Sequence, residues 1–110
     1  MFGVGGSDKA SSSSMLQHVV KKPWGFYHVL IEGNGWLVKR IVVLPGQSTS
    51  LQRHTKRGEL IVKIPEGRSW FTPPWTEHRL TEGDYIEIQT GIIDESDVIR
   101  VADDYGRAGQ

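Results

Sequence analysis

The stretch GQSTSLQRHTKRGELIV, residues 46–62, decides the fold, because it sets a polar strand, a bend and an apolar strand in immediate succession. Residues two positions apart share a face of an extended strand, so the side chains of Gln52 and His54 are predicted to project the same way. Gly58 eases the turn into the next strand, which can return Glu59 to that face. All three side chains can offer lone pairs to a cation.

A fourth donor, His78, lies downstream in TPPWTEHRL, residues 72–80, where two prolines fix the backbone before the histidine. A solvated polar strand face explains the first three donors equally well, and His18 and His28 are interpreted as surface or hydrogen-bonded histidines. The fourth donor favours a metal site. Its nitrogen and oxygen donors suit zinc, manganese, iron, cobalt or nickel, whereas calcium would require more oxygens. The predicted ligands are Gln52, His54, Glu59 and His78.

From Val19 onward, short segments rich in valine, isoleucine and aromatic residues are punctuated by glycine and proline about every eight to twelve residues, which predicts an all-β fold. Residues 24–32 and 35–46 flank a Gly-Asn-Gly turn and are expected to pair as a hairpin. No window keeps a helical apolar stripe, so any helix is expected to be one turn near residues 94–97. Eight or nine strands are compatible with a sandwich or a small barrel.

Length and composition restrict the function. The 110 residues suit one domain, expected over residues 16–110, and the glycine- and serine-rich residues 1–15 are expected to form a disordered tail or leader. Thirteen basic and thirteen acidic residues cancel, so the charge indicates neither nucleic acid nor a membrane surface as partner. With no cysteine, thiol catalysis and disulfides are excluded. Without a signal peptide or a membrane-length apolar run, a cytoplasmic protein is expected.

The spacing of the four donors resembles the two motifs of the cupin family. The first motif reads glycine, five residues, His, any residue, His, three or four residues, Glu, and this chain has glutamine in place of the first histidine. The second reads glycine, five residues, Pro, any residue, Gly, two residues, His, three residues, Asn, and this chain has Trp75 for glycine and Glu82 for asparagine. The matching positions are Gly46, Gln52, His54 and Glu59, then Gly67, Pro73, Trp75, His78 and Glu82.

More narrowly, residues 22–54 and 87–107 resemble the cupin domain of type II mannose-6-phosphate isomerases, including the C-terminal module of bifunctional mannose-1-phosphate guanylyltransferases. The resemblance covers residues 20–107 and implies a jelly-roll β-barrel of cupin type. It also implies metal-dependent interconversion of mannose 6-phosphate and fructose 6-phosphate, with a small-molecule sugar phosphate as partner. In that chemistry the metal polarises the sugar oxygens, and a general base, which the sequence does not identify, moves a proton.

The phosphate of such a substrate requires cationic partners, and a guanidinium offers it a bidentate fork. Each basic candidate is also compatible with a solvated surface charge. The candidates are Arg40, Arg79, Arg107 and Lys56, with Lys39 as a further lysine.

Two departures from the family pattern bear on these expectations. The family shows a histidine cluster followed by Glu-His-Trp, where this chain has Lys56 and Leu60. If the family's metal is held at those two positions, this chain lacks the ligands and its site is inactive. Seven residues separate Glu59 from Gly67, whereas cupins place a hairpin between the motifs, so the barrel is predicted to be truncated by about one hairpin. The exposed edges would favour a homodimer. A non-catalytic cupin that binds a sugar or metal, and a structural remnant that binds nothing, are the alternative functions.

Overall fold

The structure, a computed structural model, describes residues 19–108 and contains eight β-strands. The described strand pairings are antiparallel, so the predicted all-β fold is confirmed, while the tail predicted for residues 1–15 lies outside the described residues. Within residues 19–108 no helix long and apolar enough to cross a membrane is found. The strands are β1 (Val19–Lys22), β2 (Gly25–Gly33), β3 (Trp36–Ser48), β4 (Leu51–Arg53), β5 (Arg57–Ile64), β6 (Arg68–Thr72), β7 (Thr81–Gly91) and β8 (Ile99–Ala102).

Six of the strands form one sheet in the order β1-β2-β3-β7-β5-β6, and β4 pairs with β8 in a second, two-stranded sheet. In the described part of the chain β1 and β6 are the edges of the large sheet, so hydrogen bonds do not close it into a barrel. The jelly-roll architecture expected from the motifs is therefore present in an open form. An antiparallel bridge between Gln52 and His78 ties β4 to the segment that leads into β7.

The hairpin expected around the Gly-Asn-Gly turn is present, and the structure contains a second hairpin. β2 pairs with β3 across the Asn34-Gly35 turn, and β5 pairs with β6 across residues 65–67, where the backbone N–H of Gly67 donates to the carbonyl of Lys63 at 2.7 Å. The second hairpin joins β5 directly to the strand that precedes the proline turn. The two motifs are thus brought together without an intervening hairpin.

Alternation along β3 decides which side chains enter the core. Every second residue of this strand is buried, beginning with Leu37 and continuing through Lys39. Ile41 and Val43 then join the apolar cluster, which is completed by Trp24, Ile61, Leu80 and Tyr85. The buried face of the sheet therefore has an apolar part, formed by this cluster, and a polar part. The polar part contains Lys39 of β3, Glu59 of β5, and Glu87 and Gln89 of β7.

The homodimer expected from the sequence stays a prediction. Phe71 on the edge strand β6, Trp75 in the proline turn and Ile92 after β7 each expose more than half of their surface. Contact with a second copy would remove these side chains from water. Light scattering at high protein concentration should give twice the mass of one chain, and a monomer over the whole concentration range would contradict the prediction.

Two glycines provide a matched test of the backbone packing. A β-carbon at Gly25, where φ is +153°, would lie 2.0 Å from the backbone oxygen of Val42, whereas at Gly67, where φ is +80°, no atom lies within 4 Å. Gly67→Ala should cost only the left-handed backbone penalty, about 1 kcal/mol of unfolding free energy. Gly25→Ala should cost about 3 kcal/mol because the β2–β3 pair must move apart. Denaturant unfolding measures both, and equal losses would contradict the packing described here.

Candidate functional site

A cavity of about 120 Å³ lies between the polar part of the large sheet and the segments around β4 and β8. All four predicted metal ligands line this cavity. They come from three stretches of chain: the end of β4, the start of β5 and the turn before β7.

Three of the four ligands converge on one point. The Nε2 atom of His54 lies 3.2 Å from Glu59 Oε2, and the Nε2 atom of His78 lies 3.1 Å from Glu59 Oε1. One ligand atom from each residue lies within 4.8 Å of the other two. Glu59 is 1% exposed, so a carboxylate is held here almost wholly out of water.

The second nitrogen of each imidazole fixes its tautomer. His54 Nδ1 lies 2.6 Å from the carbonyl of Asp97, and His78 Nδ1 lies 3.0 Å from the carbonyl of Thr76. Because a carbonyl only accepts, each Nδ1 carries a hydrogen, so each ring directs its Nε2 at Glu59, as a lone pair when the ring is neutral and as a donor when it is protonated. Lone pairs of two imidazoles and a carboxylate at this spacing repel one another unless a proton or a cation lies between them. Metal-binding histidines show the same outer hydrogen bonds.

The fourth predicted ligand is placed differently. The backbone of Gln52 exchanges hydrogen bonds with that of His78 at 2.9 and 2.8 Å, which sets the two residues side by side. The amide oxygen of Gln52 accepts the hydroxyl hydrogen of Ser50 at 2.6 Å. An amide oxygen has a second lone pair, so this contact leaves it able to accept one more partner.

Arg57 is a member of the site that the sequence pattern did not identify. Its Nε donates to Glu59 Oε2 at 2.9 Å, its Nη1 donates to the carbonyl of Asp94 at 3.1 Å, and its Nη2 lies 3.5 Å from His54 Nε2. Although burial would raise it, the two imidazoles and the charge of Arg57 hold the pKa of Glu59 well below its usual range. Burial alone would lower the pKa of His78, but the contacts with Glu59 and Thr76 raise it.

The donor set fits a divalent cation. Glu59 Oε1 is buried, and beside a neutral His78, whose Nε2 is 3.1 Å away, it accepts no hydrogen bond. An acceptor left unsatisfied in this way is costly, and a cation would relieve it. Two imidazole nitrogens, one carboxylate and one amide oxygen match zinc and the neighbouring transition metals better than calcium or magnesium.

A second polar group on the cavity wall involves β3 and β7. Lys39 Nζ lies 3.7 Å from Glu87 Oε1 and 3.7 Å from Glu95 Oε1, and the Gln89 amide donates to Glu87 Oε1 at 2.7 Å. Burial raises the pKa of Glu87. Sequence reasoning missed Glu87 because it alternates with isoleucines, a pattern that usually places the polar residue on the outer face. Two alternating polar residues, Glu87 and Gln89, in an otherwise apolar strand were the available signal.

The candidate phosphate ligands are not brought together. Arg107 lines the cavity, and its guanidinium is fixed by two hydrogen bonds of 2.9 Å to Asp103. Arg40 instead pairs with Asp84, Arg79 donates to the carbonyl of Thr49, and Lys56 is exposed. None of these three lines the cavity. The further candidate Lys39 does line it, as do three cations that the sequence did not indicate, Lys22, Arg57 and Arg100.

Comparisons with known proteins give consistent relatives. The family model described as "Mannose-6-phosphate isomerase C-terminal" matches residues 9–67. The xanthan biosynthesis protein XanB of Xanthomonas campestris pv. campestris is 34% identical over 117 aligned positions, covering 87% of this chain and 25% of that protein. The mannose-1-phosphate guanylyltransferase of Escherichia coli is 34% identical over 109 positions, covering 80% of this chain and 23% of that protein. The chain thus spans about a quarter of the length of these relatives.

A structural comparison agrees on the fold. The crystal structure of a protein from Planctomyces limnophilus matches with a TM-score of 0.61 and 15% identity, covering 73% of this chain and 86% of that one, which shows a shared fold alone. The alignment with XanB spans 117 positions, more than the 110 residues of this chain, so XanB carries residues here that this chain lacks. That difference agrees with a shortening between the motifs.

Asp97 positions the loop that carries His54, and its removal provides a test. Its carboxylate accepts from Thr55 N, Thr55 Oγ1 and Lys56 N at 2.9, 2.8 and 2.9 Å, while its carbonyl accepts from His54. Asp97→Ala should lower the unfolding free energy by about 2 kcal/mol, because two partly buried backbone donors and the Thr55 hydroxyl lose a charged acceptor. Asp84→Ala, which removes an exposed ion pair with Arg40, should cost less than about 1 kcal/mol. Urea unfolding of both variants is the measurement, and similar losses would contradict this role.

Proposed function

Because this chain belongs to the mannose-6-phosphate isomerase C-terminal family, we propose that it is a metal-dependent isomerase that interconverts mannose 6-phosphate and fructose 6-phosphate. The observation that carries the proposal is the convergence of His54, Glu59 and His78 on a cavity, with the buried Glu59 carboxylate between the two imidazoles. Family membership by itself shows only that the chain is related to enzymes that act on mannose phosphates.

The metal would be held by His54, Glu59 and His78, with the amide oxygen of Gln52 as the fourth ligand. When bound, it supplies a Lewis acid that polarises the sugar oxygens on which negative charge develops. The chain's own contribution is orientation. The carbonyls of Asp97 and Thr76 keep both Nε2 lone pairs directed at Glu59, and burial excludes competing water.

The isomerisation moves one proton between C2 and C1 of the sugar and a second between O2 and O1, through an enediol, so a base must take the carbon-bound proton and return it to the neighbouring carbon. We assign this role to Glu87. Its carboxyl lies on the cavity wall, and burial raises its pKa above the usual value, the direction in which a carboxylate becomes a stronger base. The Gln89 amide fixes its orientation, and Lys39 supplies a positive charge beside it.

Two observations favour a second candidate, a non-catalytic cupin that binds a sugar or a metal. The cavity of about 120 Å³ is small beside typical ligand pockets of about 300–1,000 Å³. In addition, Arg57 already neutralises Glu59 without a metal. Without the missing hairpin, the cavity would lack part of its wall. The pocket would then be shallow, and a sugar or metal would bind weakly.

Metal content is the first test. Protein purified without a histidine tag should carry about one equivalent of a transition metal by elemental analysis. His54→Ala and His78→Ala should each weaken binding by more than about 100-fold, since loss of even an outer-shell partner costs 10–100-fold. His28→Ala is the matched control and should keep the metal, because His28 does not line the cavity. Absence of metal in the parent protein, even after loading, would point to the structural remnant.

Turnover is the second part of that test. Metal-loaded protein should form fructose 6-phosphate from mannose 6-phosphate in a coupled assay. Glu87→Gln should lower kcat by at least about 100-fold while metal content stays unchanged, because it removes the base alone. Glu66→Gln, in the exposed turn between β5 and β6, is the control. Sugar binding without turnover would establish the second candidate instead.

A further inference from the structure

Three cationic side chains line the outer part of the cavity. Lys22 ends β1 in the large sheet, Arg100 lies on β8 in the small sheet, and Arg107 follows β8 near the C-terminal end of the described residues. All three are half-buried, whereas His54 and Glu59 are buried. The cations thus approach one opening from both walls, and the His–Glu cluster lies deeper in the same cavity.

The charge of the cavity is unbalanced at this opening. Its carboxylates are Glu59, which pairs with Arg57, and Glu87 and Glu95, which both lie near Lys39. Five cationic side chains and these three carboxylates line the cavity, so an excess of two positive charges remains, and Asp103 hydrogen-bonds one of the cations, Arg107. Burial and then the charges of Arg100 and Arg107 lower the pKa of Lys22, as expected for cations that repel one another at close range.

Arg100 has an unused donor. Its Nε is buried and has no hydrogen-bond partner in the described structure. Burying a guanidinium N–H without an acceptor is unfavourable, so such a group normally donates to the protein, to water or to a bound ligand. The contacts of Arg107 with Asp103 use its Nε and Nη2, so they fix the plane of the guanidinium and do not engage Nη1.

We propose that Lys22, Arg100 and Arg107 form a subsite for a phosphomonoester dianion at the opening of the cavity. Two guanidinium groups offer fixed donors to the phosphate oxygens, and the lysine adds a third charge from the opposite wall. The subsite rests on the proposed function in that its ligand would be the phosphate of the sugar whose other end reaches the His–Glu cluster. It makes the chain selective for phosphorylated sugars over the free hexoses.

Calorimetric titration tests the subsite without relying on turnover. Mannose 6-phosphate should bind the parent protein at least about tenfold more tightly than mannose. Lys22→Gln and Arg100→Gln should each remove most of that preference and should weaken binding of inorganic phosphate. The matched controls are Lys21→Gln, on the exposed face of the same strand, and Arg40→Gln, outside the cavity, and both should bind like the parent protein.

The same titration separates this inference from the proposed function. Metal-free protein and Glu87→Gln should still prefer mannose 6-phosphate, so a protein that binds phosphate but does not turn over supports the subsite and contradicts the isomerase. Equal binding of mannose and mannose 6-phosphate by the parent protein overturns the subsite, as does an unchanged preference in both folded cavity variants. Circular dichroism establishes that each variant is folded. Because Lys22 and Arg100 lie on separate sheets, one variant still tests the subsite if the other does not fold.

Discussion

The buried carboxylate of Glu59 is the group on which the rest of the site depends. A charge taken out of water is costly unless partners surround it, and here the partners are His54, His78 and Arg57. They come from the end of β4, the turn before β7 and the start of β5, so only the folded sheet brings them together. The hairpin that joins β5 directly to β6 keeps this arrangement intact although the chain is short between the two motifs.

The turn that presents His78 shows that residue spacing preserves backbone geometry even where residue type has changed. Trp75 occupies the position of a motif glycine and has a φ of +71°, the left-handed conformation that glycine adopts readily and a bulky residue seldom does. Its backbone N–H donates to the carbonyl of His54 at 2.6 Å. That hydrogen bond connects the segments that carry His54 and His78, and it helps to compensate the strained backbone conformation of Trp75.

The parts of the structure that the sequence predicted are those set by local rules. Strand and turn patterns predicted the all-β fold and the hairpin of β2 and β3, and motif spacing placed Gln52, His54, Glu59 and His78 near one another. The parts that sequence reasoning missed depend on residues that are distant in the sequence and meet only in the folded chain. Lys22 and Arg100 come from opposite ends of the chain and opposite sheets. Glu87 and Gln89 face inward from β7, so the usual assignment of polar residues to the solvent face fails where a cavity replaces the apolar core.

Arg57 gives the cluster a cation of its own, and this determines how a metal can bind. The single lone pair of His54 Nε2 accepts either the guanidinium or a metal ion, whereas Glu59 Oε1 and His78 Nε2 face each other away from the contact between Arg57 and Oε2. A divalent ion beside a fixed guanidinium would be repelled by it, so Arg57 would lower the affinity for a metal while it keeps Glu59 paired without one. The residue that neutralises the buried carboxylate is therefore the same residue that would set how tightly a metal could be held.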